Sequence, residues 1–100
     1  MTREVFWSRE ALADFDRQIN FIALDSQQNA SLVADRVESA VAALQAMPTG
    51  RDGRVGGTYE KLMTKTSLII AYSIDAKGNL TIVRIIHAAR DWQAGMWPEG

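Results

Sequence analysis

Three residues near the C-terminal end of the sequence could carry out chemistry on a charged substrate. Arg84, His87 and Arg90 follow one another at three-residue spacing, and His87 is the single histidine of the chain. Histidine has an intrinsic pKa suited to proton transfer near neutral pH, and arginine can stabilise developing negative charge. Arg54 and Lys61 are further cations that could join them at a phosphate.

The same residues also have structural interpretations. A histidine at the end of a strand is commonly a hydrogen-bonded part of the fold, as buried polar groups require. Arg84 could pair with an acid, or it could cover apolar surface with its aliphatic stem. The residue types alone therefore leave both a chemical and a structural role open for Arg84 and His87.

Composition restricts the classes of protein to which the chain can belong. One hundred residues, 47% of them hydrophobic and 23% charged, predict a single globular domain that spans residues 1–100. The absence of cysteine and the single histidine argue against a disulfide framework and against a metal site, and no cofactor is expected. The N-terminal residues do not form a signal peptide and no apolar run could span a bilayer, so a cytoplasmic location without membrane contact is expected.

Charge is distributed unevenly along the chain. Residues 1–50 hold four arginines and seven acids, a balance of −3, whereas residues 51–100 hold seven cations and five acids, a balance of +2. The net charge of −1 argues against a protein that binds nucleic acid mainly through a basic surface.

The N-terminal half predicts a short strand followed by two helices. Residues 5–7 form the strand candidate, and Ser8 is a suitable N-cap for a first helix that ends between residues 25 and 28. The three- and four-residue spacing of its apolar residues puts one set on a common face: Leu12, Phe15, Ile19 and Ile22.

A second helix follows after a short connection. Asn29 is its predicted N-cap, and Pro48 ends it at about Met47, because proline disfavours a helical conformation in the preceding residue. A short connection between two amphipathic helices predicts an antiparallel hairpin.

The C-terminal half predicts three strands, over residues 58–63, 68–75 and 80–87, in an antiparallel meander. If Ala76 pairs with Asn79 across a Lys77–Gly78 turn, then Tyr72 faces Val83. A three-residue loop would swap the faces of one strand. The predicted fold is α+β, with an N-terminal strand and an antiparallel helical hairpin packed on a small antiparallel sheet.

This register predicts a second, open face of the sheet. Ile69, Ala71, Ile82 and Arg84 share the face that points away from the helices. An open apolar face on a small domain suggests a protein partner.

Motifs along nearly the whole chain resemble the RelE/ParE superfamily of bacterial type II toxins. WSREALADFDRQINFI is similar to the first strand and helix of that family, and LQAMPTGRDGRVGGTYEKLM to its helix end, Gly-Arg loop and next strand. LIIAYSI and LTIVRIIHAARDW resemble its last two strands. The resemblance implies a toxin that a cognate antitoxin neutralises by direct binding, with operator DNA contacted only through the antitoxin. RelE-like members cleave messenger RNA in the ribosome, and ParE-like members act on DNA gyrase.

Two features favour the ParE-like branch. Tyr59 stands where the family commonly has an arginine, and the isoelectric point near 5.7 is unlike that of strongly basic toxins directed at the ribosome. The expected function is therefore gyrase inhibition without chemistry of its own. The alternative is a ribosome-dependent mRNA endoribonuclease with His87, Arg84 and Arg90 as catalytic residues. A third interpretation is a toxin fold that retains only regulatory binding to its antitoxin and operator.

The predicted binding residues follow from these expectations. The predicted antitoxin-binding residues are those of the open face: Ile69, Ala71, Ile82 and Arg84. Two tryptophans of the C-terminal segment could close over the core or anchor a target, and the resemblance implies that this segment matters for toxicity. The predicted target-binding residues are Arg54, Lys61, Arg84, Trp92 and Trp97.

Overall fold

A computed structural model describes residues 3–53, 56–63 and 66–88 of the chain. Along the chain, one strand is followed by two helices and then by four strands. The elements in chain order are β1 (Val5–Trp7), α1 (Arg9–Asp25), α2 (Gln27–Ala46), β2 (Arg51–Asp52), β3 (Tyr59–Leu62), β4 (Leu68–Ile74) and β5 (Leu80–His87).

The strands form one sheet in the order β1-β5-β4-β3-β2. Strands β2 to β5 pair antiparallel with their neighbours, as the predicted meander requires, and β1 adds to β5 in parallel orientation. The predicted α+β fold is confirmed, with a mixed five-stranded sheet. The short strand β2 pairs antiparallel with β3 and lies at the edge of the sheet.

The two helices are joined by a single residue, Ser26. Ser8 caps α1 as predicted, because its hydroxyl accepts from the amide of Ala11. The prediction that Asn29 caps α2 is wrong. Ser26 has an extended backbone, with φ −158°, and its hydroxyl accepts from the Asn29 amide, so one residue ends α1 and begins α2.

The main core lies between the helices and one face of the sheet. On α1 the buried face is centred on Ala11, Asp14 and Gln18. Phe15 packs against the core, whereas Leu12, which was predicted to share its face, is 50% exposed. Leu12 lies about 100° around the helix from Ala11, which turns it away from the sheet. The fully or nearly buried members of this core are Ala11, Val37, Val41, Leu44, Met63, Leu68, Ile70, Tyr72, Leu80, Ile82 and Ile85.

The turn between β4 and β5 differs from the predicted two-residue turn. The Asp75 amide donates to the Asn79 carbonyl, so three residues form the loop, and Gly78 takes a positive φ of 88°. Tyr72 consequently pairs with Ile82 and not with Val83. The one-residue shift brings Leu80 and Ile82 to the helix side, where both are 0% exposed, so the predicted place of Ile82 on the open face is wrong.

A β-bulge restores the predicted register along the rest of the strand. Tyr72 pairs with Ile82 and Ala71 pairs with Arg84, which leaves Val83 as the extra residue of β5. Beyond the bulge Ile70 pairs with Ile85, as predicted.

A second, smaller cluster consists of residues that the predicted register puts on the far face of the sheet. Ile69, Ala71 and Ile86 are 3%, 0% and 0% exposed, and Ala88 packs against them. The expectation of an open apolar face at Ile69 and Ala71 is therefore wrong, because these side chains belong to a hydrophobic cluster of their own. Neither α1 nor α2, the helices of the described part of the chain, combines the length and apolar character needed to cross a membrane.

Candidate binding surface and the polar residues of the sheet

Arg84 is held in a buried ion pair with Asp14 of α1. Its Nε donates to Asp14 Oδ2 at 2.7 Å, and its Nη2 donates to Oδ1 at 3.0 Å. Arg84 is 7% exposed and Asp14 1%. A buried charge requires such a bidentate partner, since an unpaired charge in the interior is strongly destabilising. This geometry favours a structural role for Arg84, and its roles in catalysis, target binding and antitoxin binding stay predictions.

Asp14 is the residue of this site that sequence reasoning missed. Its carboxylate also accepts from the Ile85 amide at 3.0 Å and from Arg17 Nη2 at 3.1 Å. Because acids on helices usually face water, the sequence does not distinguish a buried carboxylate from the exposed carboxylates of α1. The available signal was its three- and four-residue spacing from Ala11 and Gln18, together with an arginine on a strand that required a partner.

His87 lies at the end of β5, where it pairs with Leu68 in the register. The imidazole is half-buried and lines a cavity of about 190 Å³ between the helices and the sheet. The other residues around this cavity are Gln18, Phe21, Ile22, Val33, Thr66, Ser67 and Leu68. A histidine at the rim of a cavity could reach a bound group, so its predicted catalytic role stays open.

Lys61 lies on β3 and is engaged with the segment that follows α2. Its Nζ donates to Thr49 Oγ1 at 2.9 Å, and the Tyr72 hydroxyl donates to the Thr49 carbonyl at 2.7 Å. Strand β4 separates β3 from β5, which puts the backbones of Lys61 and Arg84 roughly 10 Å apart. Lys61 contacts Thr49 whereas Arg84 contacts Asp14, so the structure does not bring the two cations together at one charged site.

Gly50 allows this segment to pack closely on β3. Its φ is +147°, and a Cβ atom there would lie 2.8 Å from the Glu60 carbonyl oxygen and 3.0 Å from the Tyr72 hydroxyl. A larger residue would push the segment away from the sheet and disturb the contacts of Thr49.

Tyr72 is expected to make folding stability sensitive to alkaline pH. Burial raises the pKa of its hydroxyl, and the neighbouring Tyr59, stacked at 5.6 Å, raises it further. A folded-state pKa above the unfolded value means that this contribution to stability is complete below about pH 10 and is lost as pH rises through the folded pKa. The melting temperature should therefore fall more steeply with pH in the wild type than in Tyr72→Phe, whose ring does not titrate. If the melting temperatures of the two proteins fall equally steeply above about pH 10, the titration of Tyr72 does not affect stability.

An exposed apolar surface covers the end of the helical hairpin, and the sequence reasoning did not predict it. Phe21, Leu24 and Leu32 are 55%, 86% and 47% exposed. A groove of about 370 Å³ beside them is lined by Phe21, Ile22, Leu24, Asp25 and Asn29. We call these residues, with Leu32, the hairpin surface. Clusters of exposed large apolar side chains mark interaction sites more often than isolated ones do.

The four predicted antitoxin-binding residues do not form one exposed surface. Ile69 and Ala71 belong to the smaller cluster, Ile82 belongs to the main core, and Arg84 is paired with Asp14. All four are buried, so direct contact with a partner would require a rearrangement at these positions. Their antitoxin-binding role stays a prediction.

Four of the predicted site residues lie outside the described residues: Arg54, Arg90, Trp92 and Trp97. Within residues 3–53, 56–63 and 66–88, no group of three or more histidine or carboxylate side chains is arranged to hold a metal ion.

Comparisons with known proteins cover nearly the whole chain. A family model described as the ParE toxin of the type II toxin–antitoxin system parDE matches residues 5–92. The protein named "Putative toxin Y4kP" of Sinorhizobium fredii (strain NBRC 101917 / NGR234) is 31% identical over 91 residues, which are 90% of this chain and 93% of that protein. A chain of the solved structure "Chromosomal ParDE TA system from P. aeruginosa" matches with a TM-score of 0.77 at 20% identity, over 86% of this chain and 96% of that chain.

Proposed function

Because the chain belongs to the ParE toxin family of type II toxin–antitoxin systems, we propose that it inhibits DNA gyrase by direct binding and that a cognate antitoxin neutralises it by binding to it. Residues 1–100 act as a single toxin domain in the cytoplasm, without a cofactor. Operator DNA is contacted only through the antitoxin.

The observation that carries gyrase inhibition over RNA cleavage is the buried pair of Arg84 and Asp14. A cation that stabilises the phosphate at the cleavage site of an RNA must contact the phosphate oxygens directly. Both donor contacts of Arg84 to Asp14 are 3.0 Å or shorter, and the arginine is 7% exposed. Breaking the pair to serve a substrate would leave Asp14 as a buried carboxylate without its main counter-ion.

The hairpin surface is the best-supported contact surface for a protein partner among the described residues. Because Leu24 is 86% exposed, Leu24→Glu should change the melting temperature little, as surface substitutions usually alter stability by less than about 0.5 kcal/mol. If the hairpin surface contacts the target, Leu24→Glu should weaken growth inhibition. If the hairpin surface contacts the antitoxin, the substitution should weaken antitoxin binding. Ala13→Glu adds the same charge at an exposed position of α1 about three turns away from Leu24 and serves as the matched control. If both variants inhibit growth and bind antitoxin like the wild type, the hairpin surface has no role in either contact.

The alternative function is a ribosome-dependent mRNA endoribonuclease, which the place of His87 beside a cavity favours. On that interpretation His87→Ala should slow cleavage by about 10²-fold or more, because a proton-transferring group is lost. On the proposed function the variant should inhibit growth as the wild type does. The two expectations are compared by measuring growth inhibition and the cleavage of ribosome-bound messenger RNA for the same proteins. His87→Asn serves as a variant that keeps a hydrogen-bonding side chain. Ribosome-dependent cleavage by the wild type, lost in a folded His87→Ala protein, would overturn gyrase inhibition.

Induced expression tests the proposed function in cells. The expected result is blocked DNA synthesis with gyrase-dependent chromosome breaks, relieved by co-expression of the antitoxin. Cleaved transcripts and halted protein synthesis, with DNA synthesis initially intact, would contradict it.

A further inference from the structure

Among the described residues, one edge of strand β5 is paired with a strand over only part of its length. The parallel strand β1 pairs with residues 80–82 of β5, which extends to His87. Beyond Ile82 the backbone on this side would present donors and acceptors to solvent or to another strand. Uncovered strand edges of this kind are templates for pairing with a further chain.

Side chains of α1 and its cap meet the backbone groups beyond Ile82. The Ser8 amide donates to the Ile82 carbonyl at 2.9 Å, and the Ser8 hydroxyl donates to the Val83 carbonyl at 2.8 Å. Further along, Asp14 Oδ2 accepts from the Ile85 amide at 3.0 Å. One side chain therefore supplies a donor and the next supplies an acceptor, as the backbone of a neighbouring strand would.

The β-bulge explains why Ser8 can serve two consecutive carbonyls. In a regular strand the carbonyls of residues 82 and 83 would point to opposite edges. The extra residue, Val83, interrupts this alternation, and both carbonyls accept from Ser8.

The two side chains are themselves fixed by contacts within the fold. The Ser8 hydroxyl accepts from the Ala11 amide at 3.0 Å, which is its N-cap contact. The bidentate contact with Arg84 orients the Asp14 carboxylate. We propose that Ser8 and Asp14 act as a side-chain substitute for a neighbouring strand and close the β5 edge against pairing with a second molecule of this protein.

Nuclear magnetic resonance on the native protein tests the key contact without substitution. Scalar coupling through the hydrogen bond should connect the Ile85 amide nitrogen to the Asp14 carboxylate carbon. The backbone bond from the Asp75 amide to the Asn79 carbonyl, at 2.9 Å, provides the reference coupling. Detection of the reference coupling without the Ile85–Asp14 coupling would overturn the proposal.

A pair of uncharged double variants tests whether the contact closes the edge. Asp14→Leu with Arg84→Leu removes the acceptor for Ile85, whereas Asp14→Asn with Arg84→Leu keeps an amide oxygen there. Amide exchange at Ile85, relative to the core amide of Ile70, should be about 10-fold faster in the first variant than in the second, because one hydrogen bond is lost. The first variant should also self-associate at concentrations where the second does not, as measured by sedimentation velocity.

Each result of this comparison decides the proposal. Equal exchange at Ile85 in the two variants would overturn it, and so would faster exchange without self-association, since the edge would then be open without pairing. If the variants do not fold, the coupling measured in the native protein decides the proposal, because its absence would show that Asp14 does not accept from the Ile85 amide of the β5 edge.

Discussion

Asp14→Ala is expected to lower the free energy of unfolding by about 3–5 kcal/mol, because it removes the carboxylate that pairs with the buried Arg84 guanidinium. The same substitution removes the acceptor for the Ile85 amide, which adds a second unsatisfied group in the interior. For a small domain, a loss of this size is a large fraction of the total stability. Chemical denaturation of the purified protein, with the change in midpoint converted to free energy, measures the effect.

Asp16→Ala is the matched control for this prediction. Asp16 lies on the same helix but is exposed, so its removal should change the free energy of unfolding by less than about 0.5 kcal/mol. Arg84→Ala should be destabilising as well, because it leaves the Asp14 carboxylate buried beside only the partly exposed Arg17. If Asp14→Ala costs no more than Asp16→Ala, the buried pair does not hold α1 to β5.

Truncation after Trp92 is expected to reduce growth inhibition sharply while leaving the melting temperature nearly unchanged. The truncated protein loses Met96 and Trp97 but retains every helix and strand of the described fold. If Trp97 anchors the target, its loss should cost about 2–4 kcal/mol of binding, roughly 30- to 1000-fold in affinity. Antitoxin binding should be affected little.

The control for the truncation removes only the last two residues, Glu99 and Gly100, and should inhibit growth normally. Melting and growth inhibition are compared on the same proteins. Unchanged growth inhibition after truncation at Trp92 would show that the residues after Trp92 do not contact the target. Lost inhibition together with a clearly lower melting temperature would give the tail a structural role, since burying one large apolar side chain contributes roughly 1.5–3 kcal/mol.

Local signals in the sequence were sufficient to locate the two helices along the chain. Ser8 was recognisable as an N-cap, and Pro48 limits α2 to the residues before it, which matches the observed end at Ala46. The cap of α2 was predicted wrongly because the connection is one residue long, and the shared use of Ser26 by both helices leaves no separate signal. The rotation of α1 was also misjudged, since the small and polar residues Ala11, Asp14 and Gln18 face the sheet while Leu12 does not.

The register of β4 and β5 shows what local signals cannot determine. The same residues are compatible with a two-residue Lys77–Gly78 turn and with a three-residue loop that ends at Gly78. The two alternatives differ by one residue in the pairing of β4 with β5. The bulge at Val83 then compensates for that shift, so Ile70 and Ile85 pair as predicted although Tyr72 does not pair with Val83. Such a bulge depends on contacts with Ser8 that are distant in sequence.

The candidate site was predictable in part. Pairing of Arg84 with an acid was one of the interpretations that the sequence left open. The identity of the acid required the fold, because Asp14 and Arg84 are 70 residues apart and meet only when α1 crosses the edge of β5. The hairpin surface was missed because Phe21 and Leu24 lie off the predicted apolar face of α1, and only the fold shows that both side chains remain exposed.

Gyrase inhibition is tested most directly with purified components. The toxin is added to gyrase and relaxed plasmid, and in parallel to ribosomes loaded with messenger RNA, with and without the antitoxin. The predicted result is a block of supercoiling or trapped double-strand cleavage by gyrase, reversed by the antitoxin, with the message intact. Unaffected gyrase together with ribosome-dependent cleavage of the message would contradict the proposed function.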